Sequence, residues 1–111
     1  MFEIIIAEHA KQDIRNNLAY IKNTLCNQKA ALELADMLEK EISSLSQFPF
    51  SGTPVPDQFL ADYGFRFLLI KNYKVYYVSD KDKKLVHIVR CLHGSRDYTS
   101  TIRATTSTGS R

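Results

Sequence analysis

Among the side chains between residues 66 and 98 of the types that phosphodiester chemistry uses, the candidates are Arg66, Lys71, Lys74, Arg90, His93, Arg96 and Tyr98. A guanidinium grips two phosphate oxygens at once. An imidazole changes charge near neutrality and moves a proton, and a phenol carries a proton or stacks on a splayed base. Cleaving RNA through its own 2′-hydroxyl needs a base for that proton, an acid for the leaving 5′-oxygen and cations for the pentacoordinate phosphate. It needs no metal and no cofactor. His9 and His87 have no second ligand at a recognisable spacing, so no metal site is expected.

Each of these residues also has a plainer reading. Arg66 suits a surface strand arginine paired with Asp62 or Asp97. Arg90 alternates with Val86, Ile88 and Leu92, which fits a snorkelling or salt-bridged residue as well as a phosphate contact. His93 beside Gly94 fits a loop histidine, and Arg96 with Asp97 a local ion pair. Tyr73, Tyr76 and Tyr77 can stack bases, yet alternation puts Tyr76 opposite the other two, so core filling is favoured for most of them. Lys81, Lys83 and Lys84 share one turn with Asp80 and Asp82 and read as solvated, which leaves Lys71 and Lys74 as the better phosphate contacts.

The elements that must position these groups follow from periodicity. Phe2 to Ala7 is β-branched and aromatic, as a buried strand requires. From His9 the apolar residues Ala10, Ile14, Leu18, Ile21 and Leu25 recur at helical spacing. Asn27 is placed to cap a second helix carrying Ala31, Leu34, Leu38, Ile42 and Leu45, and so short a joint predicts an antiparallel helical hairpin. Phe48-Pro49 stops that helix, and Phe50 to Pro56 reads as a loop. After Gly64 the period falls to two over Phe65 to Ile70, Tyr73 to Val78 and Leu85 to Leu92, with Lys71-Asn72 and Ser79 to Lys84 as turns. The order β-α-α-β-β-β predicts an α+β domain, a helical hairpin packed on a mainly antiparallel four-stranded sheet, over residues 1–98. Residues 99–111 are poor in apolar side chains, and a disordered tail is expected there.

With 111 residues, 44% of them hydrophobic, the chain suits one compact domain. No apolar run reaches the length of a membrane span and no signal peptide is legible, so a cytoplasmic protein is expected. Cys26 and Cys91 stand apart in apolar contexts and read as buried thiols. The formal charge of +3 conceals a split: residues 1–57 carry about −3 and residues 58–111 about +6. Such polarity favours a polyanion or an acidic protein at the second half.

In this order and spacing, particular residues resemble the RelE/ParE superfamily of type II toxins. They are Ala10, Asp13 and Ile14; Tyr20-Ile21; Ala30-Ala31; Phe48-Pro49-Phe50-Ser51-Gly52; Arg66; Asn72-Tyr73; Tyr76-Tyr77; and Val86 to Arg90 leading into Leu92-His93-Gly94-Ser95-Arg96-Asp97. The resemblance covers residues 2–98. It implies a growth-arresting toxin neutralised by a cognate antitoxin protein. Members resembling RelE cut mRNA on the ribosome, whereas members resembling ParE poison DNA gyrase and lack the cleavage residues. The first expectation is an mRNA endonuclease in which Arg66 and Arg96 stabilise phosphate, His93 or Tyr98 transfers protons, and Lys71, Lys74 and Arg90 hold RNA. The rival expectation is a gyrase inhibitor without chemistry of its own, favoured by the Leu92 to Asp97 ending and by a net acidic second helix. A third makes the chain a partner-binding module that has lost its toxicity.

Overall fold

The computed structural model describes residues 1–94 and 98–108, with side chains through residue 104. Strand β1 (Glu3–Ile6) leads into helix α1 (Glu8–Ala19), a π-helical turn (Tyr20–Thr24) and helix α2 (Gln28–Ser44). Then come the two-residue strand β2 (Thr53–Pro54), the short helix α3 (Gln58–Tyr63), strands β3 (Phe65–Ile70), β4 (Tyr73–Asp80) and β5 (Leu85–His93), and helix α4 (Thr99–Thr108). The expected α+β class is observed. The sheet has five strands rather than four, in the order β1-β5-β4-β3-β2.

The first strand joins at the edge, parallel to β5, with Glu3 opposite Leu85 and Ile6 opposite Ile88. All other pairings are antiparallel. Expected strands two and four, β3 and β5 here, are therefore separated by β4. The Lys71-Asn72 turn closes β3 on β4 with Lys71 in the left-handed region at φ 57°.

The Asn27 side chain accepts the Ala30 N–H at 3.0 Å and starts α2 as expected. Before it, the Leu25 N–H bonds the carbonyl of Tyr20 five residues back, which widens the helix and turns its phase. Leu25 consequently leaves the apolar stripe and is exposed. Cys26 follows in the left-handed region and is exposed as well, against the expectation of a buried thiol; Cys91 is buried.

Both faces of the sheet are covered. Ala10 and Ile21 from the first helical segment, Leu34, Leu38 and Ile42 from α2, and Ile70, Val75, Tyr77, Val86, Ile88 and Cys91 from the strands form the larger core. Val55, Leu60, Phe65, Tyr76 and Ile102 form a second core on the other face. Tyr73 and Tyr77 belong to the first and Tyr76 to the second, so all three tyrosines are buried. Over residues 99–108, where the sequence suggests a disordered tail, the structure has helix α4, whose Ile102 is 1% exposed within the second core. Residues 109–111 lie outside the described part.

Candidate functional site

Strand β5 departs from strict alternation, and the departure decides where Arg90 goes. Tyr76 pairs with Arg90 but Tyr77 pairs with Ile88, leaving Val89 as an extra residue. The inward series therefore runs Val86, Ile88, Cys91, and Arg90 is released from it. Its guanidinium reaches α1 and grips Asp13 with two bonds, Nε to Oδ2 at 2.7 Å and Nη2 to Oδ1 at 2.9 Å. Oδ2 of Asp13 also accepts the Cys91 N–H at 3.0 Å. The Asp13 hydrogen bonds keep Arg90 charged well beyond neutral pH, outweighing its partial burial. This clamp ties α1 to β5 exactly where the bulge interrupts the ladder, with the Asn17 amide donating to the Cys91 carbonyl beside it. Asp13 was visible in the sequence only as a matched position.

Arg66 lies on the helix side of β3, opposite Tyr77. Its Nη1 donates to the Gly52 carbonyl at 2.7 Å, rather than to Asp62, and its guanidinium carbon stands 5.9 Å from the centre of the Phe50 ring. The Tyr77 hydroxyl accepts the Gly52 N–H at 2.7 Å, and Ser79 Oγ donates to the Pro49 carbonyl at 2.6 Å. A Cβ on Gly52 would stand 2.5 Å from that hydroxyl and 2.7 Å from the Phe67 carbonyl, so only glycine fits. Burial pushes the Tyr77 phenol up, against the opposing bond from Gly52. Arg66 thus belongs to a bracket that bolts the loop before β2 to the sheet.

The other expected residues gather at the far end of β3. The Gly94 N–H bonds the Asn72 carbonyl at 2.9 Å, which draws the end of β5 onto the Lys71-Asn72 turn. The exposed His93 ring lies 4.8 Å from that of Tyr73, centre to centre. The Tyr98 hydroxyl donates to the His93 carbonyl at 2.7 Å, and Lys74 stands 4.8 Å over the Phe67 ring. Lys71, Lys74, His93 and Tyr98 are therefore neighbours, while Arg66 sits four residues along β3, roughly 13 Å away at ordinary strand rise. Arg96 lies outside the described residues. Among the described residues no three His, Cys, Asp or Glu side chains group as metal ligands, and no helix is long and apolar enough to cross a membrane.

Two further features escaped sequence reasoning. An apolar groove of about 420 Å³ opens between β1 and the hairpin, lined by Ile4, Ile6, Ile14, Leu18, Leu38 and Ile42 among others. Periodicity marks these residues as apolar but not that a groove opens among them. The second is α3, capped by the Asp57 carboxylate, which accepts the Leu60 N–H at 3.0 Å. An aspartate after a proline signals such a start, yet six residues are too few for a period to show.

Residues 4–98 match the family model for the ParE toxin of type II toxin–antitoxin systems, parDE. Among solved structures, the fold is similar to a chain of a chromosomal ParDE toxin–antitoxin system from P. aeruginosa, with a TM-score of 0.68 and 16% identity over 86% of this chain and 98% of that one. It is also similar to a chain of the RelBE2 toxin–antitoxin complex from Mycobacterium tuberculosis, with a TM-score of 0.57 and 18% identity over 83% and 96%. At such identities the likeness concerns the fold. No individually curated protein matches the sequence.

Proposed function

Because the chain belongs to the ParE toxin family of type II toxin–antitoxin systems, we propose that it arrests growth as a binding poison of DNA gyrase, without cleavage chemistry of its own, and is neutralised by a cognate antitoxin. The observation that carries this reading is that, among the described residues, both arginines of the cleavage set are already held by other groups. Arg90 is held by Asp13, Arg66 by the Gly52 carbonyl, and the Tyr98 hydroxyl by the His93 carbonyl. Phosphoryl transfer requires cations and proton carriers converging on one phosphate within hydrogen-bond reach, and Arg66 is a strand's length from His93.

The groove beside β1 supplies the place for the antitoxin. Its lining is mainly apolar, with Glu39 and Ser43 as the polar members, so a flexible segment that lays an apolar helix or strand into it gains about 1.5–3 kcal/mol for each large side chain it buries. An acidic tail on such a partner suits the basic second half of the chain.

The second reading, ribosome-dependent mRNA cleavage, draws on the nearness of Lys71, Lys74, His93 and Tyr98 at one turn. One experiment separates the two. Purified toxin is added to a gyrase supercoiling assay and, in parallel, to a translating extract whose message ends are mapped. The expected result is inhibited supercoiling with intact messages. Cuts within codons that vanish in His93→Ala, with supercoiling untouched, would overturn the proposal.

A further inference from the structure

The loop from Phe48 to Gly52 combines two properties that rarely meet by accident. It is rigidly fastened, because the Gly52 N–H and C=O are taken by Tyr77 and Arg66, and the Pro49 carbonyl by Ser79. Yet it holds Phe48 at 60% and Phe50 at 45% exposure. Phe50 is further oriented by the Phe2 ring, edge to face at 6.0 Å, and by the Arg66 guanidinium above it. Exposed apolar rings cost solubility and contribute nothing to the cores, so a fastening of this strength calls for a ligand that rewards a fixed position.

The surroundings state what kind of ligand. Ser79, which bonds Pro49, is the penultimate residue of β4, just before the turn carrying Lys81, Lys83 and Lys84, all exposed. The same turn meets the chain start, where the Glu3 N–H bonds the Lys84 carbonyl and the Phe2 N–H bonds the Ser46 carbonyl. Two aromatic knobs are thus flanked by three lysines and the half-buried Arg66, cations that outnumber the two carboxylates beside them, Asp80, which accepts the Lys83 N–H, and Asp82. A bilayer is fluid and does not reward rings held at fixed positions, whereas a pocket in a folded protein does, since preorganisation removes the cost of ordering on binding. None of these residues lines the groove assigned to the antitoxin.

We propose that Phe48 and Phe50 form the epitope by which the toxin seizes its protein target, inserting into an apolar cleft whose rim carries carboxylates facing Lys81, Lys83, Lys84 and Arg66. The inference rests on the binding-poison reading above but not on gyrase being the target. Aromatic anchors ringed by charge concentrate binding energy at few residues, and the lysines steer the encounter.

The test uses the full chain expressed from an inducible promoter, with growth arrest, antitoxin capture and thermal melting read for the wild type, for Phe48→Ser and for Phe48→Ser/Phe50→Ser. Phe48→Ser alone guards against a folding effect at Phe50. The expected result is arrest requiring at least tenfold more toxin for the pair, and an intermediate loss for the single variant, with melting and antitoxin capture as in the wild type. Lys81→Glu/Lys83→Glu/Lys84→Glu is expected to weaken arrest severalfold. Arrest within twofold of wild type for the pair overturns the proposal. So does a pair that arrests normally but no longer captures the antitoxin, which assigns the loop to the antitoxin. Wild-type binding to phosphatidylglycerol vesicles that the pair abolishes overturns it in favour of a membrane, and a wild-type chain that arrests nothing overturns both readings. Supercoiling by purified gyrase is read alongside: if the wild type leaves gyrase untouched while the pair still loses arrest, the epitope stands and the gyrase reading falls.

Discussion

At the scale of single residues, polar side chains in this protein act mainly as fasteners. Asp13 takes three hydrogen bonds from Arg90 and Cys91 across 77 and 78 residues of sequence. Asp13→Ala leaves a largely covered guanidinium and a backbone N–H without acceptors. A loss of about 2–3 kcal/mol in denaturant unfolding is expected, and Arg90→Met should lose less, because it removes the charge along with its partner. Gly52→Ala drives a methyl into the Tyr77 hydroxyl and the Phe67 backbone. Destabilisation of about 1–3 kcal/mol is expected, or displacement of the loop, seen as accelerated proteolysis near residue 50. Cys91, its thiol pushed up to about 12 chiefly by burial and then by Asp13, stays protonated at neutral pH. It should resist alkylation in the native state while the exposed Cys26 reacts, which mass spectrometry after iodoacetamide treatment reads directly.

At the scale of elements, an ion pair joins the two short helices. The Asp57 carboxylate caps α3 and bonds Arg103 of α4 at 2.7 Å, and the Leu60 N–H, then Arg103, hold its pKa below the ordinary aspartate value of 3.8. A carboxylate with a depressed folded-state pKa contributes stability above its unfolded value and loses it as pH falls through the folded one. The attachment of α4 is therefore expected to weaken below about pH 4, and Asp57→Asn should remove that part of the acid dependence; hydrogen exchange of α4 amides against pH checks both. Ile102→Ala removes a side chain that α4 buries in the second core. About 2 kcal/mol, at the low end of such core truncations, is expected to be lost locally, read as faster exchange in α4 with α2 unchanged.

At the scale of the whole molecule, the charge split visible in the sequence does not become one patch among the described residues. Arg90 and Arg103 are paired with carboxylates and Arg66 with a carbonyl, while Lys71 and Lys74 lie at one end of β4 and Lys81, Lys83 and Lys84 at the other. A nuclease needs its cations on one phosphate, whereas a docking protein can use separate ends. Lys71→Ala/Lys74→Ala should therefore leave growth arrest within about twofold of wild type, measured by colony counts after induction.

Periodicity alone determined the hairpin, the meander and the Asn27 cap, because helical and strand spacing and capping chemistry are local properties of the chain. Residue types together with the family resemblance singled out Arg66, Arg90, His93 and Tyr98. What each of them touches was decided by the tertiary structure. A bulge at Val89, invisible to a period of two, turned Arg90 toward Asp13. A parallel edge strand left the groove beside β1 open, and the covering of both sheet faces by short helices buried Tyr76 and ordered residues 99–108. Convergence in space depends on register and strand order, and these arise only when distant segments pair.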